Sequence, residues 1–144
     1  AGFKFNQVQY SLAARFIERD LVAVCEEKRV GVLAWSPLGG GFLSGKYSST
    51  SRSQGRRQDA DKAFPFLPEQ RLEGLIQVLS RVAALEGVTK VQAALGWALS
   101  KPWLSCAVVG ARTAEQLKET LGARPLSARG AAYLDKASSL CLDR

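Results

Sequence analysis

The sequence predicts an α/β fold of about three parallel strands with surrounding helices, on three observations. Short apolar runs alternate with longer stretches of helical periodicity, the pattern of βα units rather than of a sandwich. The run from Val30 to Trp35 is almost continuously apolar, as expected of a parallel strand buried on both sides. Glycines crowd the segment after that run, and Gly110 closes the last apolar run, so the strands feed turns.

The elements follow in order. Phe3 to Tyr10 alternates and is rich in aromatic and β-branched residues, which predicts the first strand. From Arg15 to Lys28, Phe16, Leu21, Ala23 and Val24 recur near helical spacing, with Val22 and Cys25 on the same buried face. Val30 to Trp35 is the second strand. Ser36 to Gly45 contains Pro37, Gly39, Gly40, Gly41 and Gly45, a loop whose backbone can approach a ligand closely. It runs into the polar stretches Ser48–Ser53 and Arg56–Lys62, and loops of that length are usually functional or mobile. Pro68 opens a helix with the stripe Leu72, Leu75, Ile76, Leu79 and Val82, and Gly87 ends it. Thr89 caps another helix carrying Leu95, Ala98 and Leu99, which Pro102 stops. Cys106 to Val109 is the third strand. Thr113 followed by Gln116 is a capping box, and Ser127 caps a final helix through Tyr133 and Leu134.

Composition narrows the function classes. The 144 residues form a single domain, 1–144, with 47% hydrophobic and 23% charged residues, enough for a packed core. Cys25, Cys106 and Cys141 are an odd set without metal-like spacing, which points to idle thiols in a reducing, cytoplasmic compartment. No apolar run reaches the ~18–20 residues of a membrane span, so no membrane partner is expected. The net charge of +7 is spread along the chain, with one modest cluster at Arg52, Arg56 and Arg57. Without an aromatic-interleaved basic run or zinc spacing, nucleic acid is not the expected partner, whereas a dinucleotide phosphate would suit the charge. With no histidine, these residues can build neither a His-based proton relay nor a His metal site.

Two turns are placed to carry chemistry. Trp35-Ser36-Pro37-Leu38-Gly39-Gly40 follows the second strand, and Gly110-Ala111-Arg112-Thr113 leads into a helix N-terminus. A helix N-terminus offers backbone N–H groups and a partial positive charge to an anion, and Arg112 beside it can make a bidentate phosphate contact. Trp35 at a strand end can stack on a flat ring. Each also has an ordinary reading, as a core Trp, a plain turn and a solvated Arg.

The strings themselves resemble a family. Trp35-Ser36-Pro37-Leu38-Gly39-Gly40-Gly41-Phe42-Leu43-Ser44-Gly45-Lys46-Tyr47 is similar to the segment after the penultimate strand of aldo-keto reductases, most of all the bacterial and potassium-channel β-subunit branches. Val108 to Leu117 resembles the last-strand segment that holds the adenosine phosphate of NADPH. Asn6 to Leu12 resembles the antepenultimate strand, and Gln92 to Leu99 the helix before the last strand.

The resemblance implies a partial (β/α)8 (TIM) barrel, the C-terminal part of a fold that needs ~250 residues when complete. It implies that Gln7 binds the nicotinamide amide and that Trp35 stacks on the nicotinamide. It further implies that Ser36, Pro37, Leu38, Gly39 and Gly40 wrap the pyrophosphate, with Lys46 and Arg56 closing over it. Gly110, Arg112 and Gln116 would hold the adenosine end and its extra phosphate, and Glu119 would face the adenine. The family usually has Asn in the next place, where this chain has Thr120, which weakens adenine recognition. The family's catalytic Asp, Tyr, Lys and His lie on earlier strands, so no catalytic residue is assigned here, and no metal is implied.

Three strands cannot close a barrel, so edge strands and interior-facing side chains would meet water. The expectation is a partial barrel completed by oligomerisation, most simply a homodimer, with a rearranged monomer as the alternative. Three functions stay open: an NADPH-binding fragment without turnover of its own, a self-associating scaffold without cofactor, and an oxidoreductase completed by another polypeptide. The substrate is not legible, because its pocket would come from other strands.

Overall fold

The computed structural model describes residues 2–45 and 69–141. Its sheet has three parallel strands in the order β1-β2-β3: β1 (Phe5–Gln9), β2 (Gly31–Trp35) and β3 (Leu104–Val108). The helices are α1 (Leu21–Glu27), α2 (Glu69–Glu86), α3 (Lys90–Leu99), α4 (Ala114–Leu121) and α5 (Ala128–Ala137). Strands and helices alternate as the sequence predicts, forming part of an α/β barrel wall. Pro68, where the α2 helix was expected to open, lies outside the described residues, as does the Ser48–Lys62 loop.

All the strands run the same way, so Gln9, Trp35 and Val108 share one row at the C-terminal end of the sheet. One row below, Gln7 pairs with Leu33, and Leu33 pairs with Cys106. Between the Val32 and Leu33 partners β3 carries one extra residue, Ser105. A bulge of this kind leaves two successive side chains on one face. Ser105 and Cys106 are accordingly both exposed, while Leu104 and Ala107 are partly buried. β3 starts at Leu104, two residues before the expected Cys106, and ends at Val108, one before the expected Val109.

The core lies on one side of the sheet. Val32 and Ala34 of β2 are buried with Leu75, Leu79, Ala94 and Trp97 of the helices. The other side is open: Phe5 is 58% exposed and Val108 42% exposed. The expectation that Val30–Trp35 is buried on both sides is therefore corrected. Leu33 and Trp35, which point away from the helices, are only half-buried.

The segment after β1 also departs from the predicted single helix. Tyr10, Leu12 and Ile17 are buried, a short 3-10 turn covers Phe16–Glu18, and α1 begins only at Leu21. Val22 and Cys25, three apart, form the buried face of α1, while Val24 is 51% exposed and Phe16 37% exposed. A helix this short buries one narrow stripe, and Val24 falls off it.

The 3-10 turn is set by an ion pair. The buried Arg15 donates from Nε to Glu18 Oε1 (2.8 Å) and from Nη2 to Glu18 Oε2 (2.7 Å). Its Nη1 donates to the Asp135 carbonyl (2.9 Å) and to Ser138 Oγ (2.8 Å), which ties this turn to the end of α5. Asp135 in turn accepts from Lys101 Nζ at 2.6 Å and from Trp97 Nε1 at 3.1 Å. Tyr10 donates to Glu18 Oε1 (2.6 Å) and stacks on Trp97, ring centroids 5.2 Å apart. The guanidinium also lies over the Trp97 ring, 5.2 Å from its centroid. Burial, and next the Glu18 carboxylate, push the Tyr10 phenol far above the ordinary tyrosine range. Burial opposes charge on Arg15, yet Glu18, with smaller help from Tyr10 and Asp135, outweighs this and raises its pKa.

Candidate functional site

Parallel strands deliver their C-terminal turns to one end of the sheet, so the turns after β2 and β3 leave adjacent strands side by side. After Trp35 the chain reverses at once. Ser36 takes a left-handed backbone, φ 53, unusual for a residue with a side chain. Its carbonyl accepts from Gly39 N–H at 2.8 Å and its Oγ from Gly40 N–H at 2.9 Å. Gly39, Gly40 and Gly41 have φ of 57, 66 and 99, a succession for which glycine alone is unstrained.

The turn is anchored on the molecule behind it. Leu43 is fully buried, and Pro37 and Gly39 are buried too. Leu38 is half-buried and packs against the small cluster of Val91, Leu95 and Ala123. Gly41 N–H donates to the Leu38 carbonyl at 3.0 Å. Gly40 is the exposed residue of the turn.

After β3, Val109 to Ala114 are all exposed. Thr113 is the N-cap of α4, its Oγ1 accepting from Gln116 N–H at 3.3 Å. The predicted capping box is half-formed, because the Gln116 side-chain Oε1 accepts from the backbone N–H of Arg112 (3.0 Å) instead of that of Thr113. Gln116 thereby fixes the Arg112 backbone at the head of the helix, and the Arg112 side chain is exposed. Glu115 in the first turn has its carboxyl pKa lowered by its own backbone N–H and by Thr113, as suits an anion there.

α4 buries none of its own residues and is held by its far end. Ala123 enters the small core with Val91 and Leu95. Gln92 Nε2 donates to the Glu119 carbonyl (3.2 Å), while Gln92 Oε1 accepts from Thr89 N–H (3.1 Å) in a complete capping box on α3. Thr120 turns its hydroxyl back onto the carbonyls of Gln116 (3.1 Å) and Leu117 (2.9 Å).

The structure thus gathers Trp35, Ser36, Pro37, Leu38, Gly39, Gly40, Gly110, Arg112 and Gln116 at one end of the sheet. Gln7 sits one side-chain row lower on the open face, opposite Leu33 and exposed. Glu119 and Thr120 lie at the other end of α4 from Arg112, with Glu119 half-buried. Lys46 and Arg56, with the rest of the arginine cluster, lie outside the described residues.

Sequence reasoning missed Gln92 and Lys90. The end of the Lys90 side chain lies over Gly45, whose left-handed backbone, φ 72, itself favours glycine. Gln92 was readable, because Thr89-Lys90-Val91-Gln92 has the same spacing that predicts the Thr113 cap. Among the described residues, no group of three or more His, Cys, Asp or Glu side chains could hold a metal. Nor is any helix long and apolar enough to cross a membrane.

Comparison with known proteins supplies the frame for this geometry. The family model of the Aldo/keto reductase family matches residues 1–139. The chain is similar to the uncharacterized oxidoreductase YrpG of Bacillus subtilis, 32% identical over 126 residues, covering 88% of this chain and 37% of that protein. It is 33% identical over 118 residues to the chloroplastic pyridoxal reductase of Arabidopsis thaliana, covering 81% of this chain and 31% of that one. An uncharacterized oxidoreductase of Mycobacterium tuberculosis H37Rv is 36% identical over 118 residues, covering 82% of this chain and 36% of that protein. The chain therefore spans only about a third of each relative's length, from 31% to 37%. Parallel strands, glycine-rich turn and capped helix agree with the match: this chain belongs to the aldo/keto reductase family.

Proposed function

We propose that this chain is an NADPH-binding part of an oxidoreductase, without reductase turnover of its own. The observation that carries the reading is the adjacency of the Ser36–Gly41 turn, left-handed at Ser36, Gly39, Gly40 and Gly41, and the exposed Arg112 at the Thr113-capped start of α4. The donor set fits a dinucleotide phosphate. Arg112 would take the extra phosphate of the adenosine end, with the dipole of α4 behind it and Gln116 holding the backbone. Gly110 leaves open space beside it. The amides of Gly39, Gly40 and Gly41 are bonded within their own turn, so this loop would offer a close, Cβ-free surface more than a set of donors. Trp35 and Gln7 would meet the nicotinamide end, one row apart on the open face. Glu119 and Thr120 would lie toward the adenine.

When bound, the cofactor supplies a hydride. The residues here would position it and keep its phosphates neutralised, while the groups that move the proton would come from other strands, since these residues include no histidine. Free thiols at Cys25 and Cys106 suit a cytoplasmic setting.

The test is a fluorescence titration of the purified chain with NADPH. Saturable binding that weakens by roughly tenfold in Arg112→Ala is the expected result, the loss of one charge-assisted contact. Absence of saturation at millimolar cofactor, or an unchanged Arg112→Ala affinity, overturns it.

A further inference from the structure

We propose that Gln92 is a positioning residue for the adenine end of the cofactor, acting through the carbonyl of Glu119. The proposal rests on the NADPH-binding reading above and adds to it a residue of α3, outside both turns of the candidate site.

The first observation is how α4 ends. The last carbonyls of a helix have no partner in its own ladder. Here the Lys118 carbonyl accepts from Gly122 N–H (3.1 Å), that of Thr120 from Ala123 N–H (3.1 Å) and that of Leu121 from Arg124 Nη1 (3.0 Å). These three donors follow directly in the chain. The Glu119 carbonyl accepts instead from Gln92 Nε2, at 3.2 Å. Of the four it alone is held from another helix, and it belongs to the residue placed toward the adenine.

The second observation is that Gln92 is itself held. Its Oε1 accepts from Thr89 N–H (3.1 Å) in the α3 capping box, so the amide turns its NH2 group to Glu119. Ala93, Ala94, Leu95 and Trp97 of α3 are buried, so the tether starts from a rigid element. The third observation is the closeness of the approach. A Cβ on Gly122, which ends α4, would lie 2.6 Å from Gln92 Nε2. Gly122 has φ −75, an ordinary helical value, so its backbone does not call for glycine. The missing side chain leaves room for the amide. α4 is about 12 Å long, with Arg112 at its head and Glu119 in its last turn. Gln92 thereby sets where Glu119 and Thr120 meet the adenine while Arg112 meets the phosphate.

The experiment titrates the full chain by calorimetry with NADPH and with adenosine 2′,5′-bisphosphate, which carries the adenine end alone. Gln92→Glu keeps an acceptor for Thr89 N–H but has no donor for the Glu119 carbonyl. Gly122→Ala displaces the same amide from the other side and adds no charge. Each variant, folded by circular dichroism, should bind both molecules about fivefold more weakly, the size of one neutral hydrogen bond. Gln92→Met serves if Gln92→Glu does not fold. Thr89→Ala removes the hydroxyl that accepts from Gln92 N–H and spares the Gln92 side chain, so it should melt earlier yet bind as the wild type does. An equal loss of affinity in Thr89→Ala reduces Gln92 to a stabilising role and overturns the proposal. So does weakening confined to one of the Gln92 and Gly122 variants, or confined to NADPH. A wild-type chain that binds neither molecule overturns the proposed function and this proposal together, whereas wild-type binding that neither variant changes overturns this one alone.

Discussion

Replacing Arg15 with Ala should cost this domain about 3 kcal/mol, a large share of the ~5–15 kcal/mol by which such folds are stable. Arg15 is 5% exposed, and its guanidinium satisfies both Glu18 oxygens, the Asp135 carbonyl and Ser138 Oγ. Without it, Glu18 retains only the Tyr10 hydroxyl among these partners, whereas Asp135 retains Lys101 and Trp97. Breaking one side of a buried pair costs about 3–5 kcal/mol. The lower end applies because the Glu18 and Asp135 side chains are 19% and 37% exposed, so water relieves part of the loss. With a urea slope of about 2 kcal/mol per molar, the midpoint should fall by about 1.5 M. Arg15→Lys keeps the charge and loses the planar fork, so its midpoint should fall by roughly half as much. The control is Lys28→Ala, whose pair with Glu27 is 2.6 Å long but has side chains 64% and 68% exposed, and which should change stability by less than about 0.5 kcal/mol. The reasoning is refuted if Arg15→Ala unfolds within that control's range.

Two further outcomes follow from buried groups. The Tyr10 phenol is shifted upward, so its contribution is fully present below the unfolded tyrosine value near pH 10. Above that pH the unfolded chain loses the proton and the folded one keeps it, and stability should fall by about 1.4 kcal/mol per pH unit, a slope that Tyr10→Phe should abolish in alkaline denaturation curves. Gly96→Ala should destabilise by about 1–3 kcal/mol in a thermal melt, although alanine is the better helix former, because a Cβ there would overlap the Arg124 carbonyl where the chain crosses α3. A rise in melting temperature would refute that packing argument.

Local signals account for what the sequence revealed. β2 is continuous in apolar residues, and Thr89, Thr113 and Ser127 each accept a backbone hydrogen bond as N-caps. The glycine succession at 39–41 read correctly as a turn, since its backbone needs no partner elsewhere to explain it. What was not legible depends on distant residues. Arg15 and Glu18 three apart look like a solvated helical pair, and Arg15 is buried only by residues from far along the chain, Trp97 of α3 and the end of α5. The Ser105 bulge is a relation between two strands, so β3 alone could not show it. Leu38 reads as part of a ligand-facing string, yet it is half-buried against Val91, Leu95 and Ala123. At the candidate site, the turn and helix start were visible in residue types, whereas the tether from Gln92 to Glu119 spans 27 positions.

The partners of Arg15 are separated by very different waits during synthesis. Glu18 follows three residues later, but the Asp135 carbonyl and Ser138 Oγ follow 120 and 123 residues later. At ribosomal speeds of about 5–20 residues per second, that gap lasts roughly 6–24 s. Throughout it, the Arg15–Glu18 pair can form in water and hold the first turn locally, while the stacking of Tyr10 on Trp97 waits for α3. Trp97 can cover the guanidinium once α3 has formed, but its bonds to the Asp135 carbonyl and Ser138 must wait for the end of α5. A nascent chain halted before Asp135 should therefore expose the Phe16–Glu18 turn to proteases that the finished domain excludes.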